Sequence, residues 1–163
     1  MSVRNCEDLG TNAQFIVRRL LANQNLLKLL YYTDKDPLSH EDLTQEQIQN
    51  EVFEKLVKII PRIGPHETAH SVIAIRVSQG VGLAMNGEFK SVRIGVETFV
   101  PLTQWFIKDS NLRPFAIMGE IQKSLTNKKI EGLGKMTGGD FNLNFLTEEI
   151  GGYEQEFLLT SYD

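Results

Sequence analysis

His66-Glu67-Thr68-Ala69-His70 matches H-E-x-x-H, the pattern with which zinc peptidases hold their metal. On a helix, residues i and i+4 share a face, so His66 and His70 could both reach one Zn²⁺ and Glu67 could activate its water. Glu88 and Glu97 are the candidates for a third ligand, and nothing in their spacing selects either. The surroundings oppose the helix. Gly64-Pro65 stands immediately before the motif, and the β-branched run Ser71-Val72-Ile73-Ala74-Ile75-Arg76-Val77 follows it directly. Barely one helical turn fits between them, too short to hold without packing. The favoured reading is a solvated connecting loop with no metal; a small zinc-dependent metallopeptidase is the alternative.

The other candidate motifs carry less. Gly134-Lys135 is followed by Met136 where a phosphate-binding loop needs Ser or Thr, and Lys129 stands where it needs Gly. Gly80-Val81-Gly82 lacks the third glycine of a dinucleotide fingerprint, since position 85 is Met. Cys6 has only Arg4 near it to activate a thiolate, and it sits in a terminus expected to be flexible. His40 lies in an acidic turn. Trp105, with Phe106 and Ile107, reads as core or as an aromatic anchor in a subunit interface. No catalytic or cofactor-binding residue emerges, and an enzyme is not expected.

The elements around these residues follow from apolar spacing. Thr11-Asn12-Ala13-Gln14 fits a capping box, and Ile16, Leu20, Leu27 and Leu30 recur at helical intervals, predicting one helix from Thr11 to Tyr32. Thr44-Gln45-Glu46-Gln47 is a second capping box and predicts a helix to Ile60, stopped by Pro61. Strands are expected at Ser71–Val77 and at Ser91–Phe99, where Val92, Ile94 and Val96 face one way. Between them Gln79–Lys90, with Gly80, Gly82 and Asn86-Gly87, predicts a long hairpin loop. Pro114 opens a third helix with Phe115, Met118, Ile121 and Leu125 as its buried stripe, ending near Asn127. Short strands at Phe141–Leu146 and Gln155–Thr160 complete an α+β fold: two N-terminal helices, then an antiparallel sheet with one packed helix (β-β-α-β-β). The expected division is one domain over 1–163, with 1–10 flexible, 11–60 helical and 70–163 forming the sheet.

Composition agrees with a single folded domain. The chain has 163 residues, 41% hydrophobic, enough to bury a core without staples. A single cysteine excludes an intrachain disulfide and suits a reducing compartment. No apolar run approaches the roughly 18 residues of a membrane span, and the first residues carry no apolar signal core. Charge is uneven: the 26 residues from Gly138 onward hold six acids and no base, within a net charge of −4. The only adjacent basic pairs are Arg18-Arg19 and Lys128-Lys129, so sequence-independent nucleic-acid binding is not expected. The acidic stretch reads as a solvated rim or as an electrostatic docking surface for a basic partner.

Two stretches resemble a known group. Leu21-Ala22-Asn23-Gln24-Asn25-Leu26-Leu27-Lys28-Leu29-Leu30-Tyr31-Tyr32 with Thr33-Asp34-Lys35-Asp36-Pro37-Leu38, and Leu112-Arg113-Pro114-Phe115-Ala116-Ile117-Met118 with Asn127–Lys135 behind it, resemble small neck proteins of tailed bacteriophages. The similarity spans residues 15 to 136 and is strongest to tail terminator and tail completion proteins. It implies a virion structural protein of the head-to-tail connector: a homo-oligomeric ring, commonly a hexamer, that ends tail-tube growth and joins the tube to the head. The implied partners are further copies of the chain, the tail tube and head-connector proteins. DNA would pass through the lumen without specific binding, no membrane or cofactor would be involved, and assembly would occur in the host cytoplasm. Gly82, Met85, Asn86, Gly87, Trp105 and Arg113 are the expected interaction residues.

Overall fold

Acids Glu7 and Asp8 in the first turn and Arg18 and Arg19 in the last complement the dipole of helix α1, Cys6–Leu21. In the computed structural model, which describes residues 6–59, 69–82, 89–127, 129–130 and 134–160, α1 therefore begins ahead of the Thr11 capping box. Cys6 is helical and exposed rather than part of a flexible terminus. The single helix expected to Tyr32 is two. Asn23 leaves helical geometry, accepts the Leu26 amide at 3.1 Å and caps α2, Gln24–Tyr31. Its amide nitrogen also donates to Ser124 Oγ at 2.9 Å and to the Glu120 carboxylate at 3.1 Å. A side chain that caps one helix and ties it to another outweighs helical continuity.

The Thr44 capping box forms as expected, the Gln47 amide meeting Thr44 Oγ1 at 3.2 Å and the Thr44 amide meeting Gln47 Oε1 at 2.9 Å. Its helix is short: α3, Gln45–Gln47, continues as one π turn over Ile48–Val52 and stops. Glu54 then takes φ +61°, and Val57–Ile59 becomes strand β1. Those residues pair in parallel with Ile73–Ile75, and the Ile73 amide donates to Leu56 O at 2.8 Å. The ladder buries Val57 and satisfies backbone that a helix would leave facing the sheet, so tertiary pairing overrides the helical spacing.

Strands β2, Val72–Gly82, and β3, Phe89–Pro101, pair from Val72↔Phe99 to Gly82↔Phe89. Gln79–Gly82 and Phe89–Lys90 of the expected long loop are thus strand; the residues between them, Met85, Asn86 and Gly87 included, lie outside the described residues. Two two-residue strands follow, β4 (Phe106–Ile107) and β5 (Asn111–Leu112), and lead into α4, Arg113–Leu125. Pro114 occupies the first turn, where its missing N–H is harmless. Asn127, at φ +58°, ends the helix and donates its amide to Met136 O at 3.1 Å. Strands β6 (Lys129–Ile130), β7 (Gly134–Leu146) and β8 (Ile150–Thr160) complete the fold.

The main sheet has the order β1-β2-β3-β8-β7-β6, antiparallel except for β1 against β2. The fold is the expected α+β class with one added parallel strand. Helices α1 and α4 pack against the sheet and α2 packs on both. Val92, Ile94 and Val96 face them as expected, with Ile73, Ile75, Phe157 and Leu159 beside them and Ile16, Leu20, Ile117 and Ile121 above. Each lies at or below 1% exposure, which makes this layer the source of most of the stability.

Candidate functional site

The described part of the H-E-x-x-H motif is not helical. Ala69 and His70 form a bend that enters β2 two residues later, and His66 and Glu67 lie outside the described residues. The His70 ring is committed locally: Nδ1 lies 2.9 Å from Tyr31 O, and the imidazole stacks on the Tyr31 ring at 6.0 Å. Glu97, one of the third-ligand candidates, is buried and held by Arg76 Nη1 at 3.5 Å and Asn144 Nδ2 at 2.8 Å. Among the described residues no cluster of three or more His, Cys, Asp or Glu could hold a metal ion.

Arg113, expected to face a partner, lies inside at 0% exposure. It stands at the first position of α4, pointing back beneath the turn after α2. Nη1 donates to Leu29 O and Tyr32 O, each at 2.7 Å, Nη2 to Asp34 O, and Nε to Gln104 O at 3.0 Å. Burial pushes its pKa down and the nearby Asp34 charge opposes the shift. All of its donor nitrogens are spent on the chain's own carbonyls, so Arg113 is a structural clasp.

The turn it clasps carries a surface pair. His40 Nε2 lies 2.6 Å from Asp34 Oδ2, and its ring stacks on Tyr32 at 4.0 Å. Partial burial works to raise the Asp34 pKa, but the Asp36 amide and the His40 imidazole outweigh it and hold it below the ordinary 3.8. A folded-state pKa below the unfolded one gives stability that is complete above the unfolded pKa and lost as pH falls through the folded one. Urea midpoints followed from about pH 6 to about pH 3 should therefore fall less steeply in Asp34→Asn than in the wild type. Parallel curves would show that the carboxyl titrates alike in both states.

The exposed surface is richest along β7. Strand β6 pairs only with Gly134 and Lys135, and Asn127 donates to Met136 O, so the outer edge of β7 from Thr137 to Leu146 has no strand neighbour among the described residues. Opposite β8, Phe141 pairs with Gln155, Leu143 with Tyr153 and Leu146 with Gly151, all on the helix-bearing face. The register shift between Leu143 and Phe145 returns Leu146 to that face and sends Phe145 to the other, against Phe99 at 5.9 Å. Phe141, Leu143 and Leu146 are 51%, 56% and 64% exposed. Phe115, expected in the buried stripe of α4, instead joins them at 40% exposure, 6.0 Å from the Phe141 ring and 5.2 Å from Tyr153. Trp105 is half-buried beside this cluster, 6.2 Å from Tyr153, and Phe106 is 69% exposed. Gly82 ends β2 at the far end of the molecule's hairpin and is exposed.

The acidic stretch splits in two. Glu154 and Glu156 pair with Arg76 and Arg93, on the sheet face away from the helices. Asp140, Glu148 and Glu149 are exposed and form no ion pair among the described residues. Along the chain, Asp140 precedes and Glu148 and Glu149 follow the apolar residues of β7. The acids of this stretch thus either pair with arginines or lie exposed near an apolar strand edge. The alternation Phe141-Asn142-Leu143-Asn144-Phe145-Leu146 was the available signal for it.

A family model named YomW matches residues 23–155, from the cap of α2 into the last strand. The chain belongs to the YomW family. This is a phage-derived family of Bacillus prophages, so the chain is a phage-associated protein. Comparison with curated proteins gives no match. Among the described residues no helix is long and apolar enough to cross a membrane. The YomW match covers α2, α4, the clasp of Arg113 and the whole open edge of β7.

Proposed function

We propose that this YomW protein is a structural subunit of the phage neck, a tail terminator or tail completion protein. It forms a ring on the end of the tail tube and presents a surface to which the head connector joins. It catalyses nothing; its work is binding, to further copies of itself, to the tube below and to the connector above. DNA crosses the lumen of the ring without specific contacts. The observation that carries this reading is the row of exposed apolar side chains on an unpaired strand edge. Monomeric proteins shield such edges with charge, proline or a covering element, because they template association. Membership of a phage-derived family supplies the setting, and the resemblance of two segments to neck proteins supports the neck reading.

Interrupting the coding sequence in a phage that carries it is the test. Electron microscopy of the lysate should show filled heads and separate tails, with tails of irregular length if the ring ends tube growth. Joined particles with normal infectivity would overturn the proposal. Tails of normal length that fail to join would keep the neck assignment and move the protein from terminator to joining component.

A further inference from the structure

We infer that Phe53–Ile59 is a two-state strap: as strand β1 it covers one edge of the sheet, and as a continuation of α3 it leaves that edge open. The strap is independent of where in a particle the protein sits.

The segment is composed as a helix although it ends as a strand. Ile48, Val52, Leu56 and Ile59 recur at steps of four, four and three, one helical face that runs to the stop at Pro61. Glu51 with Lys55, and Glu54 with Lys58, stand four apart with the acid first, the order that supports a helix. Part of that helix is already in place. The Ile48 amide donates to Thr44 O at 3.0 Å and the Leu56 amide to Val52 O at 2.8 Å, both the i to i−4 bond. Between them the Phe53 amide slips to Ile48 O at 2.8 Å and closes the π turn, a feature frequent at functional sites. Glu54 then takes φ +61°, a conformation that strains any residue with a Cβ.

Little holds the strand form. β1 stands at the end of the sheet order and pairs through three residues, Val57↔Ile73, Lys58↔Ala74 and Ile59↔Ile75. It buries Val57 at 1% exposure but leaves Ile59 at 39%. Two cavities of about 530 Å³ border the segment, both lined by Glu54 and Lys58, so it has room to turn. A three-residue edge strand reached through a strained residue, in a sequence patterned for a helix, puts two arrangements close in free energy. In the helical one the backbone groups of β2 that face β1 lose their partners, and an unpaired edge templates strand addition. The strap thus decides whether this edge of the sheet is open to another strand.

Amide hydrogen exchange and saturation-transfer NMR on the whole chain test the strap. The Ile73 amide donates to Leu56 O, so along β2 the Ile73 and Ile75 amides face β1 while those of Ala74 and Arg76 face β3. In the wild type Ile73 and Ile75 should exchange at least about tenfold faster than Ala74 and Arg76, because opening the strap frees only the first pair. Saturation transfer should detect a minor state in which the Cα shifts of Lys55 to Ile59 move toward helical values. Glu54→Gly, at an exposed position, relieves the strand form and weakens the helix. It should lower the minor population, and slow the Ile73 and Ile75 amides, by roughly tenfold. Equal exchange of all four amides in the wild type overturns the strap. A minor state with coil shifts overturns the helical arrangement and leaves an edge strand that only frays. A Glu54→Gly protein that exchanges like the wild type overturns the balance set at Glu54.

Discussion

Arg113→Ala is expected to lower the free energy of unfolding by about 4 kcal/mol, the range found when a buried charged partner is removed from its hydrogen bonds. For a chain of this size that moves the melting temperature down by roughly 10 °C. The guanidinium is fully buried and serves Leu29 O, Tyr32 O, Asp34 O and Gln104 O. Two of those carbonyls close α2, one belongs to the turn beyond it, and one to the segment ahead of β4. Arginine suits the place because its planar fork reaches several acceptors in fixed directions and stays protonated even where burial opposes the charge. Alanine would strand all four acceptors and leave a cavity. Arg113→Lys keeps the charge but replaces the fork by one nitrogen, so about half of the loss should remain. Urea unfolding measures both, and a loss under about 1 kcal/mol for alanine would mean that water replaces the clasp.

Arg113 also shows where the sequence was legible and where it was not. Its position is readable: Pro114 marks a helix start, and the residue before a proline at that point lies at the junction of helix and loop. Most of its partners are not readable, because Leu29, Tyr32 and Asp34 lie 79 to 84 residues away in the chain and only Gln104 is near. The same division runs through the fold. Capping at Thr44, alternation over Val92–Val96 and the start of α4 are local, and each appears as its local pattern demands. The end of α3, the break at Asn23 and the parallel strand β1 are decided by distant groups: Ile73 for β1, Ser124 and Glu120 for Asn23. The candidate surface was half legible. Strand alternation over Phe141–Leu146 was visible, but that its outer edge has no partner is a property of the sheet order. Phe115 shows the converse, since helical spacing made it core and only the position of β7 exposes it.

The second large effect is expected at Gly151, where β8 passes beneath the only tryptophan. A Cβ there would lie 2.5 Å from Trp105 Cη2 and closer still to Cζ3, so the indole rests directly on the glycine backbone. Leu102 closes the same spot at 3.5 Å, and Tyr153 stands 6.2 Å from the ring, leaving the indole little room to shift inward. Gly151→Val should therefore destabilise by about 3 kcal/mol, as overpacking against a rigid ring does, despite the preference of valine for strands. Trp105→Ala should lose about 2 kcal/mol, since the ring is only half-buried. Combined, the valine occupies space that the indole has vacated, and the double variant should be more stable than the sum of the two losses by about 1.5 kcal/mol. Because Trp105 is the sole tryptophan, its emission reports on the contact directly. Gly151→Val should shift that emission toward the red as the ring is driven into water. Additive losses with an unchanged spectrum would show that the indole does not sit on Gly151. A coupled pair would mean that Trp105 is seated by the chain's own strand, leaving the apolar edge of β7 as the surface with side chains free to meet a neighbour.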